Sequence, residues 1–115
     1  MAESFDRGAL TEAVFYILLS LHHPMHGYAI MQNIDKLTAG RVVLGPGTLY
    51  GAINALAQKK WIAAISAGRD SRKKEYIITE AGRMVFCREL ERLRELLSNG
   101  ESVEGEKGEG RREQT

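Results

Sequence analysis

At 115 residues and 12.8 kDa, with 43% hydrophobic and 27% charged residues, the chain has the size and balance of one globular domain and not two. Its longest apolar run, residues 13–19, is far too short to cross a bilayer, and residues 1–7 place Glu3 and Asp6 before Arg7 with none of the apolar stretch of a secretory signal. A single cysteine, Cys87, excludes an intrachain disulfide and a thiolate metal cage, so a cytoplasmic protein without metal or cofactor is expected. The net charge of +1 hides an uneven distribution: residues 36–76 hold eight bases against two acids, while residues 1–35 and 101–115 are acidic. A polyanion-binding surface can sit inside a neutral total in this way, although a solvated basic stretch gives the same count.

Leu10, Val14, Ile17, Leu18 and Leu21 recur at helical spacing, predicting a first amphipathic helix that Thr11 caps and Pro24 stops. A second helix is expected over residues 27–37, with Ile30, Met31, Ile34 and Leu37 as its apolar stripe. Residues 38–47, with three glycines and one proline, form a loop.

The third helix should open at Pro46, since a proline at the first helical position gives up an N–H that would have no partner there anyway. Leu49, Ile53 and Leu56 form its buried stripe. A 100° step per residue then turns Gly47, Gly51, Asn54 and Gln58 outward and puts Tyr50 on the flank. This outward face is small, polar and free of acids.

Residues 62–66 and 75–79 are expected as the two strands of a hairpin, joined by a turn, residues 67–74, that carries Arg69, Arg72, Lys73 and Lys74. Thr79 caps a last helix, with Glu80 at the positive end of its dipole. Phe86, Leu90, Leu93 and Leu97 form its stripe, and about 20 residues of helix should end near residue 99. The glycine- and charge-rich residues 100–115 are expected to be disordered.

Three helices followed by a basic hairpin make a winged helix-turn-helix, a mainly α fold with a small β-hairpin. The domain plan is therefore a winged helix over residues 1–78, a dimerisation helix over 79–99 and a tail over 100–115. In this architecture the third helix reads the major groove and the hairpin turn touches phosphates. The basic run falls on that turn, so the charge and the fold agree.

Three sequence blocks carry a resemblance to a known family. His26-Gly27-Tyr28-Ala29-Ile30 opens the second helix, Gly45-Pro46-Gly47-Thr48-Leu49-Tyr50 opens the third, and the stretch from Lys74 through Tyr76, Thr79 and Gly82 leads from the hairpin into the last helix. Together they resemble the PadR family of bacterial transcriptional regulators, in its short subfamily with a single C-terminal helix. The resemblance covers about residues 5–98. It implies a homodimer built through the C-terminal helix with N-terminal contacts, and repression of a nearby promoter relieved by a small ligand. Three departures stand out. Gly45 replaces the usual serine and weakens the helix cap. Gly51 stands where proline often follows the Leu-Tyr pair, leaving a more flexible reading helix. The single tryptophan, Trp61, is not on the dimer helix, which disfavours a flat drug held between paired tryptophans.

Residue by residue, Thr48 and Tyr50 can hydrogen-bond phosphates at the helix N-terminus, with Tyr50 packing on the second helix as its alternative. Asn54 can read adenine with two hydrogen bonds or remain a solvated or phosphate-contacting amide. Gly47 and Gly51 can let the helix approach the bases or reflect drift. Arg69, Arg72, Lys73 and Lys74 can neutralise phosphates or remain a solvated turn. Phe86, Leu90, Leu93 and Leu97 are the expected dimer surface.

His22, His23 and His26 crowd together, but Pro24 prevents His22 and His26 from sharing one helical face. His26 is expected to orient the second helix and no metal site is expected. Cys87 should be buried. Residues 40–47 lack the lysine of a phosphate-binding loop. No nucleophile, base and acid come together, so an enzyme is not expected.

The expected function is a ligand-responsive repressor that binds double-stranded DNA at an inverted repeat. The alternatives are a winged helix docking an acidic protein partner, and a small-molecule-binding protein without operator recognition. No membrane partner is expected.

Overall fold

In a computed structural model the chain is described at residues 8–65 and 74–114, with side chains to residue 106. Helix α1 is Glu12–Ser20, capped by Thr11, whose hydroxyl accepts from the Val14 N–H at 3.1 Å. It ends before Pro24 is reached, and Ile17, Leu18 and Leu21 are its fully buried face.

Past α1, the His22 ring donates from Nδ1 toward the carbonyls of Leu18 and Leu19 (3.0 and 3.1 Å), closing the helix end. Strand β1, Met25–His26, and helix α2, Gly27–Leu37, follow directly. His26 caps α2 as expected: its Nδ1 accepts from the Ala29 N–H at 3.2 Å. The two histidines are thus held in opposite tautomers, Nδ1 carrying the proton in His22 and a lone pair in His26.

Ser20, buried among apolar neighbours, has both hydrogen-bonding roles filled. Its hydroxyl donates to the Tyr16 carbonyl (2.8 Å) and accepts from the Asn33 amide (2.9 Å), which fastens α1 to α2.

Helix α3, Pro46–Gln58, opens at Pro46 as its sequence requires. It closes with Lys60 in the left-handed region (φ 64°), which lets the Trp61 N–H reach back to the Leu56 carbonyl at 3.0 Å. Strands β2, Ile62–Ile65, and β3, Glu75–Ile78, pair antiparallel with Ile62 opposite Ile78 and Ile65 opposite Glu75.

The expected two-stranded hairpin is a three-stranded sheet, ordered β1-β3-β2, with Met25 opposite Tyr76 and His26 opposite Glu75. Two residues carry no periodicity, so β1 left no trace in the sequence pattern. It places the start of α2 directly beside the hairpin.

Helix α4 is Glu80–Gln114, capped by Thr79, whose hydroxyl accepts from the Gly82 N–H (3.1 Å) and donates to the Lys60 carbonyl (2.6 Å). A Cβ at Gly82 would collide with the Trp61 carbonyl oxygen and come within 2.8 Å of Ile78. Glycine at this position is what lets α4 start flush against the end of the sheet.

Three expectations about α4 are corrected. It does not stop near residue 99 but runs 35 residues, about 52 Å, so residues 100–114 are helix and not a disordered tail. Glycine, unlike proline, keeps its N–H, and the Glu, Lys and Arg residues between the glycines are good helix formers, so the hydrogen-bond ladder continues. Phe86 belongs to the core of its own chain: it is 8% exposed and stacks on Phe15 (4.8 Å, 20°), with the His22 ring edge-on at 4.8 Å. Cys87 is exposed and not buried.

Farther along α4, Glu89 is 5% exposed and takes a two-point pairing from Arg92, at 2.9 and 2.6 Å. The Arg92 hydrogen bond holds the Glu89 carboxyl below the usual glutamate range against the opposing effect of burial, with help from the Arg92 charge and the Leu10 backbone. A carboxylate with a lowered folded-state pKa stabilises the fold above its unfolded value and loses that contribution as pH falls through the folded one. Glu89→Gln is therefore expected to flatten the acid limb of the thermal midpoint against pH below about 4.3, the reference glutamate value. An acid limb unchanged in the variant would show that other carboxylates set it.

Candidate nucleic-acid interface

Helix α3 presents two faces. Leu49, Ile53 and Leu56 are sealed in the core, at 0%, 1% and 3% exposure. Gly47, Thr48, Gly51, Asn54 and Gln58 all lie exposed along the outer face, where the periodicity placed them. No charged side chain occurs between Pro46 and Gln58, and a Cβ at Gly47 or Gly51 would meet nothing within 4 Å. The outer face is therefore low in relief and carries hydrogen-bonding groups without a barrier of carboxylates. Gly45 caps the helix without any side-chain hydrogen bond, so the amide groups of the first turn face solvent from a positive helix end.

Tyr50 packs on the second helix while keeping part of its surface exposed. It is 42% exposed, and its ring and hydroxyl occupy the space into which a Cβ at Gly27 would project. Tyr50 thus wedges α3 against the first turn of α2. It also faces Tyr76 on β3, whose phenol is pushed above its ordinary value by burial first and by Tyr50 second.

A physical reason thus links the His-Gly-Tyr and Leu-Tyr blocks: the missing side chain at 27 receives the ring at 50. Gly27→Ala is expected to destabilise the fold by about 1–3 kcal/mol through overpacking. Adding Tyr50→Ala should restore part of that loss, read as non-additivity in a urea-unfolding double-mutant cycle. Strict additivity would remove the contact from the account.

The basic residues divide. Arg41 is taken by Glu12 of α1 in an exposed ion pair, so it does not contribute a free positive charge beside α3. Lys59 lies over the Trp61 ring, 5.1 Å from its centre. Lys74 is exposed at the start of β3. Arg69, Arg72 and Lys73 lie outside the described residues. Tyr28, in the first turn of α2, is 60% exposed.

On α4, Leu90 is partly buried against its own core, whereas Leu93 and Leu97 are 38% and 60% exposed. Leu96 and Val103, at 52% and 51%, extend the uncovered apolar surface beyond the expected stripe. Among the described residues no cluster of His, Cys, Asp and Glu is arranged to hold a metal ion, and no helix is long and apolar enough to cross a membrane.

The model of the transcriptional regulator PadR-like family matches residues 15–88, from α1 into the third turn of α4. The chain belongs to the PadR-like family. A PadR family transcriptional regulator from Eggerthella lenta superposes with a TM-score of 0.65 at 25% identity, covering 90% of this chain and 87% of that one. A transcriptional regulator from Clostridium thermocellum gives 0.62 at 24% identity, covering 76% and 90%. The YusO protein of Bacillus subtilis gives 0.68 at 20% identity, covering 89% and 67%. The last two likenesses bear on the fold alone.

A curated relative, an uncharacterized 37.1 kDa protein in transposon Tn4556 of Streptomyces fradiae, is 36% identical over 73 residues. That match takes in 64% of this chain and 20% of the relative, so the chain spans about a fifth of the relative's length. PadR-family proteins are transcriptional regulators that bind DNA, typically as dimers.

Proposed function

We propose that this PadR-like regulator is a homodimeric repressor that binds an inverted-repeat operator and is released by a small ligand. The observation that carries the DNA reading is the outer face of α3, where Gly47, Thr48, Gly51 and Asn54 are exposed together with no acid among them. Thr48 and the amide groups of the first turn suit phosphate oxygens, and Asn54, two turns in, suits a base edge. The wing bases Arg69, Arg72, Lys73 and Lys74 flank this face in sequence and add phosphate contacts. Leu93 and Leu97, joined by Leu90 at its partly buried edge, are the surface offered to a second subunit; Phe86 supports it from within.

The test is fluorescence anisotropy of the protein on duplexes from the DNA upstream of its own gene, in a salt series, against scrambled duplexes. Tight, salt-dependent binding that prefers the upstream sequence is expected. Equal affinity for every duplex, or none at low salt, would overturn operator recognition and favour the acidic protein partner.

A further inference from the structure

The flank of α3 opposite Tyr50 is not tightly packed. A cavity of about 270 Å³ opens there, between Leu10 and Val14 on the α1 side and Ala52 and Ala55 on the α3 side, with Trp61 as an end wall. Its two polar lining side chains are already engaged: Thr11 caps α1, and Lys59 lies over the Trp61 ring. What is left uncovered is apolar surface, in a space below the range of about 300–1,000 Å³ usual for small-molecule sites. A space of this size and lining suits one apolar side chain.

The chain itself brings one to the rim. Ala9 and Leu10 line the cavity, and the backbone bends at Gly8 immediately before them. Upstream lies Met1-Ala2-Glu3-Ser4-Phe5-Asp6-Arg7, outside the described residues, with Phe5 as its one aromatic residue between polar neighbours. The backbone from Phe5 to Ala9 can span at most about 14 Å, so the ring cannot be carried far from the cavity. So short a tether gives the ring a local concentration on the order of millimolar, which favours it over any separate occupant.

From this placement we infer that the cavity is the docking site of the same chain's N-terminal segment, with the Phe5 ring seated against Ala52, Ala55 and Trp61. The seated ring replaces the van der Waals contacts that an unfilled apolar space forfeits. It braces α3 on the flank opposite the Tyr50–Gly27 wedge, so the helix is held from both sides. The effect of this bracing on DNA binding rests on α3 being the DNA-reading helix, whereas the docking itself does not.

The single tryptophan makes the docking directly readable. In the full-length chain, Ser4→Cys combined with Cys87→Ser takes one bimane label, a dye whose emission tryptophan quenches at short range, and leaves Phe5 in place. Without DNA, emission is expected to be about threefold lower than that of the same labelled chain carrying Trp61→Phe, since the tether holds the dye beside Trp61. Phe5→Ala should raise emission to the Trp61→Phe level, while Phe5→Leu, which keeps an apolar body, should retain most of the quenching. Ala55→Leu, at an exposed position that preserves the fold, fills the cavity and should also release the dye. Circular dichroism checks that each variant is folded.

Emission that is the same with and without Trp61, or with and without Phe5, overturns the docking. Labelled Trp61→Phe chains refolded from urea with an excess of unlabelled wild-type chains should stay bright. Quenching in that mixture overturns docking within one chain and gives the cavity to the N-terminal segment of a second copy. Operator affinity is then measured for unlabelled Phe5→Ala. A fall of about fivefold is expected, and no change overturns the bracing of α3. Because the dye is read without DNA, failure of the docking and failure of operator recognition are separate results.

Discussion

Replacing Leu93 and Leu97 together by glutamate is expected to convert the dimer to monomers and to weaken operator binding by about 10²–10⁴-fold, the advantage two linked reading heads hold over one. Both side chains are substantially exposed on a single chain, and Leu96 and Val103 extend the same uncovered surface. In a symmetric pair each substitution counts twice, removing four leucines from the interface and placing four carboxylates in it. Fully burying one leucine contributes about 1.5–3 kcal/mol. The monomer should stay folded, because Phe86 and the start of α4 are held by Phe15, His22 and the Trp61 backbone and not by the partner. Sedimentation at micromolar concentration, with circular dichroism as the folding control, checks this. A wild-type chain that sediments as a monomer would end the argument for this surface.

The second large effect separates contacts that position the protein from those that read sequence. Lys73→Ala with Lys74→Ala is expected to weaken operator and scrambled DNA alike. If each lysine neutralises one phosphate, the slope of log K against log salt should fall by about 0.9 per contact, up to about 4 for the dimer. Asn54→Ala is expected to cost about 1–3 kcal/mol on the operator and almost nothing on a scrambled duplex. The two third helices of a dimer should enter successive major grooves about 34 Å apart, so half-site centres should lie about 10 bp apart or a multiple of it. An unchanged slope would take the wing off the phosphates. Equal losses for Asn54→Ala on both duplexes would make it a backbone contact.

The parts of the fold that were legible in the sequence had local chemical causes. Pro46 opens α3, His26 caps α2, Thr79 caps α4, and the buried stripe of α3 follows its 3.6-residue period. Features fixed by distant partners were not legible. Two residues of β1 become a strand only because Tyr76 and Glu75 lie alongside. Tyr50 turns to Gly27 because a glycine 23 positions earlier leaves room for its ring, which no helical wheel of α3 contains. Phe86 shares its spacing with Leu90, Leu93 and Leu97, and periodicity alone cannot tell a residue covered by its own chain from one awaiting a second. The continuation of α4 past Gly100 was missed because glycine and charge content were given more weight than the absence of proline.

The close fit at Gly82 has a mechanical consequence. With no side chain between them, the first turn of α4 and the backbone at Trp61 have no play, so the root of the long helix and the base of the hairpin pivot as one piece. The helix then acts as a lever: a point 20 residues along it is about 30 Å from the pivot, so a 5° change in tilt moves that point by roughly 2.6 Å. Run in reverse, a small change in the crossing angle of two such helices resets the separation of the two hairpins and of the α3 helices beside them.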